Sequence, residues 1–298
     1  MKAALTLLTI LSCLSFASAE NSPAMVKAYQ LSQQSVVQDG PNCFNTAMYM
    51  QGFVDEIVHT SSSESQFYLE NFCREKSANE VPSTGDVISF RDSQDLSNEI
   101  HETVMLENNQ IIEKNSIYGT VKKPFEGDPV PGRYLIHNLQ ESLYSPIKSK
   151  KLFDAVYTQK IFTCQTAEQV QKAMATILQI PAVQEQLQFR HEIAQTLKIA
   201  DRAALEKNIL EVLVPIVEKM SWDQSLDKNG LSQQEAKYLA GILRSNANQL
   251  SFLNCTRGLE KYGECYQPSL TASIKVTDAW FTKIFAFEKE FNLSKYYE

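Results

Sequence analysis

"GDVISFRDSQDLSNEIHETVMLENNQIIEKN", Gly85 to Asn115, decides the fold. Gly85-Asp86 forms a turn leading into the run Val87 to Phe90, which reads as a strand. His101 opens a second strand-like run, "HETVML", and "IIEKN" supplies a third. The polar residues Glu107, Asn108 and Asn109 between the last two predict a hairpin. With an odd number of residues in that loop, odd positions of both strands share one face, and Glu113 or Asn115 then lies beside His101. A carboxylate or amide there holds an imidazole in one tautomer and orientation, as in nucleophile, base and orienter arrangements.

The nucleophile candidate lies upstream in "PNCFNTAMYM", Pro41 to Met50. Asn42 is suited to capping, and Phe44, Ala47, Met48 and Gln51 follow at helical spacing, so Cys43 stands at a helix N-terminus. There the dipole and unpaired amides favour a thiolate, and the same amides stabilise an oxyanion. A base completes such a site. His59 precedes the polar run "TSSSES", read as a solvated loop; His137 lies in "YLIHNL" and His191 in the helical "QFRHEIAQTL". Those three are read as ordinary surface or satisfied histidines, which leaves His101 as the base.

The chain of 298 residues begins with Lys2, an apolar run from Ala3 to Phe16 and the small residues Ala17-Ser18-Ala19. This is the pattern of a cleavable secretory leader at 1–19, so a soluble, secreted or periplasmic chain starting at Glu20 is expected. No later stretch is apolar and long enough to span a bilayer. The net charge of −7 becomes −8 without Lys2, and no Lys/Arg-rich patch tracks phosphates, which argues against nucleic acid and anionic membranes as partners. Of the cysteines beyond the leader, Cys255 and Cys265 flank a short segment that Gly258 and Gly263 allow to fold back, an expected local bridge. Cys73 and Cys164 remain as a pair by elimination, and Cys43 stays free.

Up to about Lys150 the chain mixes helices with short strands, and from Thr166 it reads as helical. Two domains are expected, 20–150 and 151–298, joined by the polar, basic "SPIKSKK", Ser145 to Lys151. The second half carries capping boxes at Thr166-Gln169 and Ser232-Glu235, and Pro215 implies a kink in the helix that begins near Leu205. "DKNG", Asp227 to Gly230, reads as a turn, because a calcium-loop register would put Ser225 and Ala236 at its end-ligand positions.

The order of Cys at a helix start, Gly-Asp-strand, His-strand, turn and polar orienter resembles the papain-like cysteine amidase and peptidase superfamily, NlpC-type and CHAP-type cell-wall hydrolases above all. The matching residues are Asn42-Cys43, Gly85 to Phe90, His101 to Leu106 and Ile111 to Lys114. The resemblance implies an α+β fold, with a Cys-bearing helix packed on a small antiparallel sheet, followed here by an all-α domain. It implies Cys43 as nucleophile, His101 as general base and later acid, and Glu113 as orienter with Asn115 as substitute. It implies a thioacyl-enzyme and a peptide or peptidoglycan substrate. Glu102, Thr103 and Phe44 depart from the small or apolar residues usual at those places. The alternative is a catalytically degenerate papain-like binding protein whose helical half contacts a protein partner.

No Cys-x-x-Cys pair, P-loop, dinucleotide fingerprint or serine elbow is present, and Met105 stands where a zinc-protease helix needs its second histidine. No metal and no cofactor is expected.

Overall fold

The hairpin is the centre of a six-stranded sheet. The computed structural model describes residues 22–34, 40–115, 133–199, 201–219, 230–254 and 271–293. The expected leader at 1–19 and the Cys255–Cys265 bridge lie outside them, as does most of the Asp227–Gly230 turn. The strands are β1 (Cys73–Glu75), β2 (Val87–Asp92), β3 (Glu99–Met105), β4 (Gln110–Lys114), β5 (Tyr134–Asn138) and β6 (Tyr157–Cys164). They lie in the order β1-β6-β2-β3-β4-β5, each neighbour antiparallel. Val104 faces Ile112 and Met105 faces Ile111, the odd-with-odd register expected of the hairpin. Its turn places Asn108 and Asn109 at φ 55° and 59°, a left-handed geometry that asparagine tolerates better than most residues.

Alternation along the strands makes two apolar faces. Val87, Val104 and Ile112 join the main core, whereas Ile88, Phe90, Met105 and Ile111 form a second cluster covered by Leu139, Tyr144, Tyr157 and Ile161. Helix α1 (Pro23–Ser32) touches β5 and the next helix, α2 (Cys43–Gln51), which lies against β3 and β4. Asn42 caps α2 by accepting from the Asn45 amide at 2.9 Å, and Gly52 ends it in a left-handed conformation (φ 74°). Helix α3 (Ser62–Phe72) begins inside the run read as a solvated loop: Ser61 caps it, and Thr60, Ser61, Ser63 and Ser65 are buried. These serines are polar because they bond one another, Glu102 and the Gly241 carbonyl, not because water reaches them.

Helix α3 runs straight into β1, and Cys73 faces Cys164 of β6 across that edge of the sheet in a disulfide, the pair reached by elimination. The sheet thus takes its sixth strand from beyond the connector expected at Ser145–Lys151, and that connector is itself helix α4 (Pro146–Phe153). The sheet-bearing unit reaches at least Cys164.

The rest is helical. Thr166 and Gln169 make the expected capping box of α5 (Ala167–Met174), and Pro181 opens α6 (Pro181–Leu197) at its first turn, where a missing amide costs nothing. The helix with Pro215 widens into a π turn, Ile209–Leu213, between Arg202–Asn208 and Val214–Lys219. That turn accommodates the proline ring and its absent donor. Ser232 and Glu235 bond reciprocally ahead of the long helix Gln233–Asn254. This helix packs on α3, α6 and the helix Thr271–Glu290. Glu64 of α3 forms a buried bidentate pair with Arg190 of α6, at 2.8 and 2.6 Å, and Ser245 of the long helix donates to Glu64 at 2.5 Å. The core is continuous from Met25 to Leu293.

Candidate active site

Helix α2 and the hairpin β3–β4, far apart in sequence, meet at His101. Strand β3 supplies the imidazole, which is 1 % exposed, and the register of β4 places Glu113 on the same face. His101 Nε2 lies 2.9 Å from Glu113 Oε2. The Glu113 carboxyl, fully buried, is held well below the ordinary carboxylate range: burial opposes ionisation, but hydrogen bonds and charge from His101 and His137 outweigh it. An ionised carboxylate only accepts, so Nε2 carries the proton and Nδ1 holds the lone pair of the neutral ring. Burial disfavours the imidazolium, yet the charge and hydrogen bond of Cys43, then those of Glu113, raise His101 to about 9.

Cys43, 8 % exposed, is the free cysteine among the described residues. As the first residue of α2 its amide has no partner within the helix, and among the described residues no hydrogen bond uses the amide of Cys43 or of Phe44. Those two groups are the donors available to an oxyanion.

Three residues complete the surroundings of His101 without having been marked by sequence. His137 of β5 donates from Nε2 to Glu113 Oε1 at 2.8 Å, so it is part of the site and not the incidental histidine expected. Ser142 donates to Glu113 Oε2 at 2.9 Å. Tyr144 stacks on the His101 ring, with centroids 4.0 Å apart and planes 12° from parallel. All three follow the segment 116–132, and only the pairing of β5 with β4 brings them back. Asn115, the expected substitute for Glu113, is not bonded to His101; its Oδ1 is buried with no partner among the described residues.

The other histidines are occupied elsewhere. His59 is buried, not solvated: burial pushes it down to about 4, its Nδ1–H donates to the Gly40 carbonyl at 3.0 Å, and Asn248 donates to Nε2 at 3.1 Å. His191 pairs with Glu56 at 2.7 Å on the surface.

Glu102, the departure next to His101, turns to the opposite face of β3. There Ser65 donates to it at 2.7 Å. A bulge at Ile100, where Phe90 faces His101 but Arg91 faces Glu99, brings Glu99 to the same place. Ser89 and Arg91 both donate to Glu99 Oε1. Burial first, and then the charge of Glu99, raise the Glu102 carboxyl well above the ordinary range, so Glu102 keeps a proton and donates it to Glu99.

Comparison with protein-family models, with curated proteins and with solved structures finds no match to this chain. The functional reading therefore rests on the geometry. No group of three or more His, Cys, Asp or Glu residues among those described has the arrangement of a metal site, and no described helix is long and apolar enough to cross a membrane. A cavity of about 260 Å³ lies elsewhere, lined by Phe53, Val54, Tyr68, Val170, Met174 and Leu187 among others. Cys43, His101 and Glu113 do not line it.

Proposed function

We propose that the chain is an exported cysteine-dependent amidase or peptidase of papain-like type. The observation that carries this reading is the His101 ring held between Glu113 on Nε2 and Cys43, with the cysteine at a capped helix start. Cys43 Sγ attacks a substrate carbonyl carbon, forming the C–S bond while negative charge moves to the carbonyl oxygen near the Cys43 and Phe44 amides. The C–N bond then breaks, and the amine leaves with the proton from His101. Water attacks the thioester as His101 Nδ1 takes its proton, the C–S bond breaks, and the acid departs. Glu113 keeps its charge and holds the ring throughout. Transfer to an amine instead of water uses the same thioester.

Near-complete enclosure of Cys43 and His101 favours a second reading, a papain-like binding protein with a silent site and contacts made by the helical half. A mass-spectrometric search for new termini in a pool of proteome-derived peptides separates the two. Cleavage by the wild type and none by Cys43→Ala supports the hydrolase. No cleavage, with no covalent labelling of Cys43 by a peptidyl acyloxymethyl ketone, overturns it.

A further inference from the structure

The basic stretch read as a connector has a surface that the catalytic geometry leaves unused. Of the nine large hydrophobic side chains exposed among the described residues, four lie between Ile147 and Val156: Ile147 (82 %), Leu152 (41 %), Phe153 (47 %) and Val156 (49 %). This grouping on α4 and just past its end contrasts with exposed apolar residues scattered singly, which need no explanation. Lysines lie among them. Lys150 pairs with Asp154 at 2.5 Å, Lys148 reaches only the Glu141 carbonyl oxygen, and Lys151 has no carboxylate partner among the described residues. This local positive excess stands on a chain of net charge −7.

The surface is continuous with the site. Tyr144, stacked on His101, has Phe90, Tyr157 and Phe153 as further ring neighbours; Phe153 lies with its centroid 6.0 Å away and its plane 29° from parallel. The row His101, Tyr144, Phe153 leads from the buried base to the exposed patch.

We infer that α4 and the residues up to Val156 bind the flanking part of an acidic, apolar-rich peptide whose scissile bond lies at Cys43. The inference rests on the hydrolase reading and names its substrate class. Lys148 and Lys151 meet the carboxylates, while Ile147, Leu152, Phe153 and Val156 take the apolar side chains. A lipid surface fits less well. Helices that lie on membranes segregate charged and apolar faces. At 100° per residue Ile147 instead projects within about 60° of both Lys150 and Lys151, while Leu152 and Phe153 project about 140° and 120° away from it, so apolar and basic side chains alternate around α4 and no single apolar face is left for a bilayer.

The test uses fluorescein-labelled octapeptides on full-length mature Cys43→Ala protein, with affinity read by anisotropy. One peptide combines Glu and Leu, one Lys and Leu, and one Glu and Ser. The Glu/Leu peptide binds at least tenfold tighter than either of the others. Lys148→Glu with Lys151→Glu, and separately Phe153→Ser, each remove at least tenfold of that affinity. Equal affinity for the three peptides, or affinity indifferent to those substitutions, overturns the inference. So does binding to phosphatidylglycerol vesicles that the same substitutions abolish while peptide affinity is unaltered. Alkylation of Cys43 that ignores His101 removes the hydrolase reading and leaves the peptide result standing, so the two failures are distinct.

Discussion

Glu113 divides its two carboxylate oxygens between His101 Nε2, at 2.9 Å, and His137 Nε2, at 2.8 Å. One buried negative charge therefore sets the tautomer of His101 and ties it to a histidine that is partly open to solvent. Glu113→Gln keeps an acceptor for one histidine but removes the charge. The His101 titration, raised to about 9 in the wild type, falls toward 6.5 in this variant, as read from the pH dependence of the imidazole NMR signals. An unchanged midpoint contradicts the role given to Glu113.

The protonated carboxyl of Glu102 makes stability depend on pH with a definite sign. Its folded-state pKa lies above the 4.5 of the free group, so its contribution is complete below about pH 4.5 and erodes as pH rises. The erosion is about 1.4 kcal/mol per pH unit until the folded group itself ionises. Glu102→Gln donates to Glu99 without a proton to lose and still accepts from Ser65. Its melting temperature exceeds that of the wild type at pH 7 and the excess vanishes near pH 4. Parallel curves across that range contradict the shared proton.

The disulfide between Cys73 and Cys164 closes a loop of sequence separation 91 that contains His101, Glu113, His137, Ser142 and Tyr144. Loop-closure entropy alone assigns it roughly 4–5 kcal/mol. Cys73→Ser with Cys164→Ser lowers unfolding stability in urea by that order, with Cys43 left in place as an alkylation reporter.

Glu64 and Arg190 tie α3 to the helical half, and Arg190→Ala leaves a buried carboxylate without its partner. A loss of about 3–5 kcal/mol is expected in denaturant unfolding, and Glu64→Gln with Arg190→Met recovers most of it. The same pair predicts that truncation after Lys150 fails to fold. Such a chain lacks β6, Cys164 and Arg190 together. A truncated chain with native near-ultraviolet dichroism contradicts that dependence.

Local grammar was legible where a few neighbouring residues decide it. Asn42, Thr166 and Ser232 cap as read, and the turn Glu107–Asn109 set the parity that put Glu113 beside His101. What escaped is set by distant pairing. Nothing near His137, Ser142 or Tyr144 tells that β5 returns to β4, and nothing before Tyr157 tells that β6 enters between β1 and β2. The burial of "TSSSES" depends on Gly241, Ser245 and Glu102, each far away in the chain. The bulge at Ile100 leaves no mark in composition, so the meeting of Glu99 with Glu102 could not be read.

The most direct test of the account is the rate of Cys43 alkylation by iodoacetamide against pH in the folded protein, read by peptide mass spectrometry beside His101→Ala and Glu113→Ala. A catalytic Cys43–His101 pair predicts rapid alkylation already at pH 6, slowed on the order of a hundredfold or more by His101→Ala and by less in Glu113→Ala. Alkylation in the wild type that is slow at pH 6 and identical in His101→Ala would contradict the catalytic pair and leave Cys43 as a buried structural thiol.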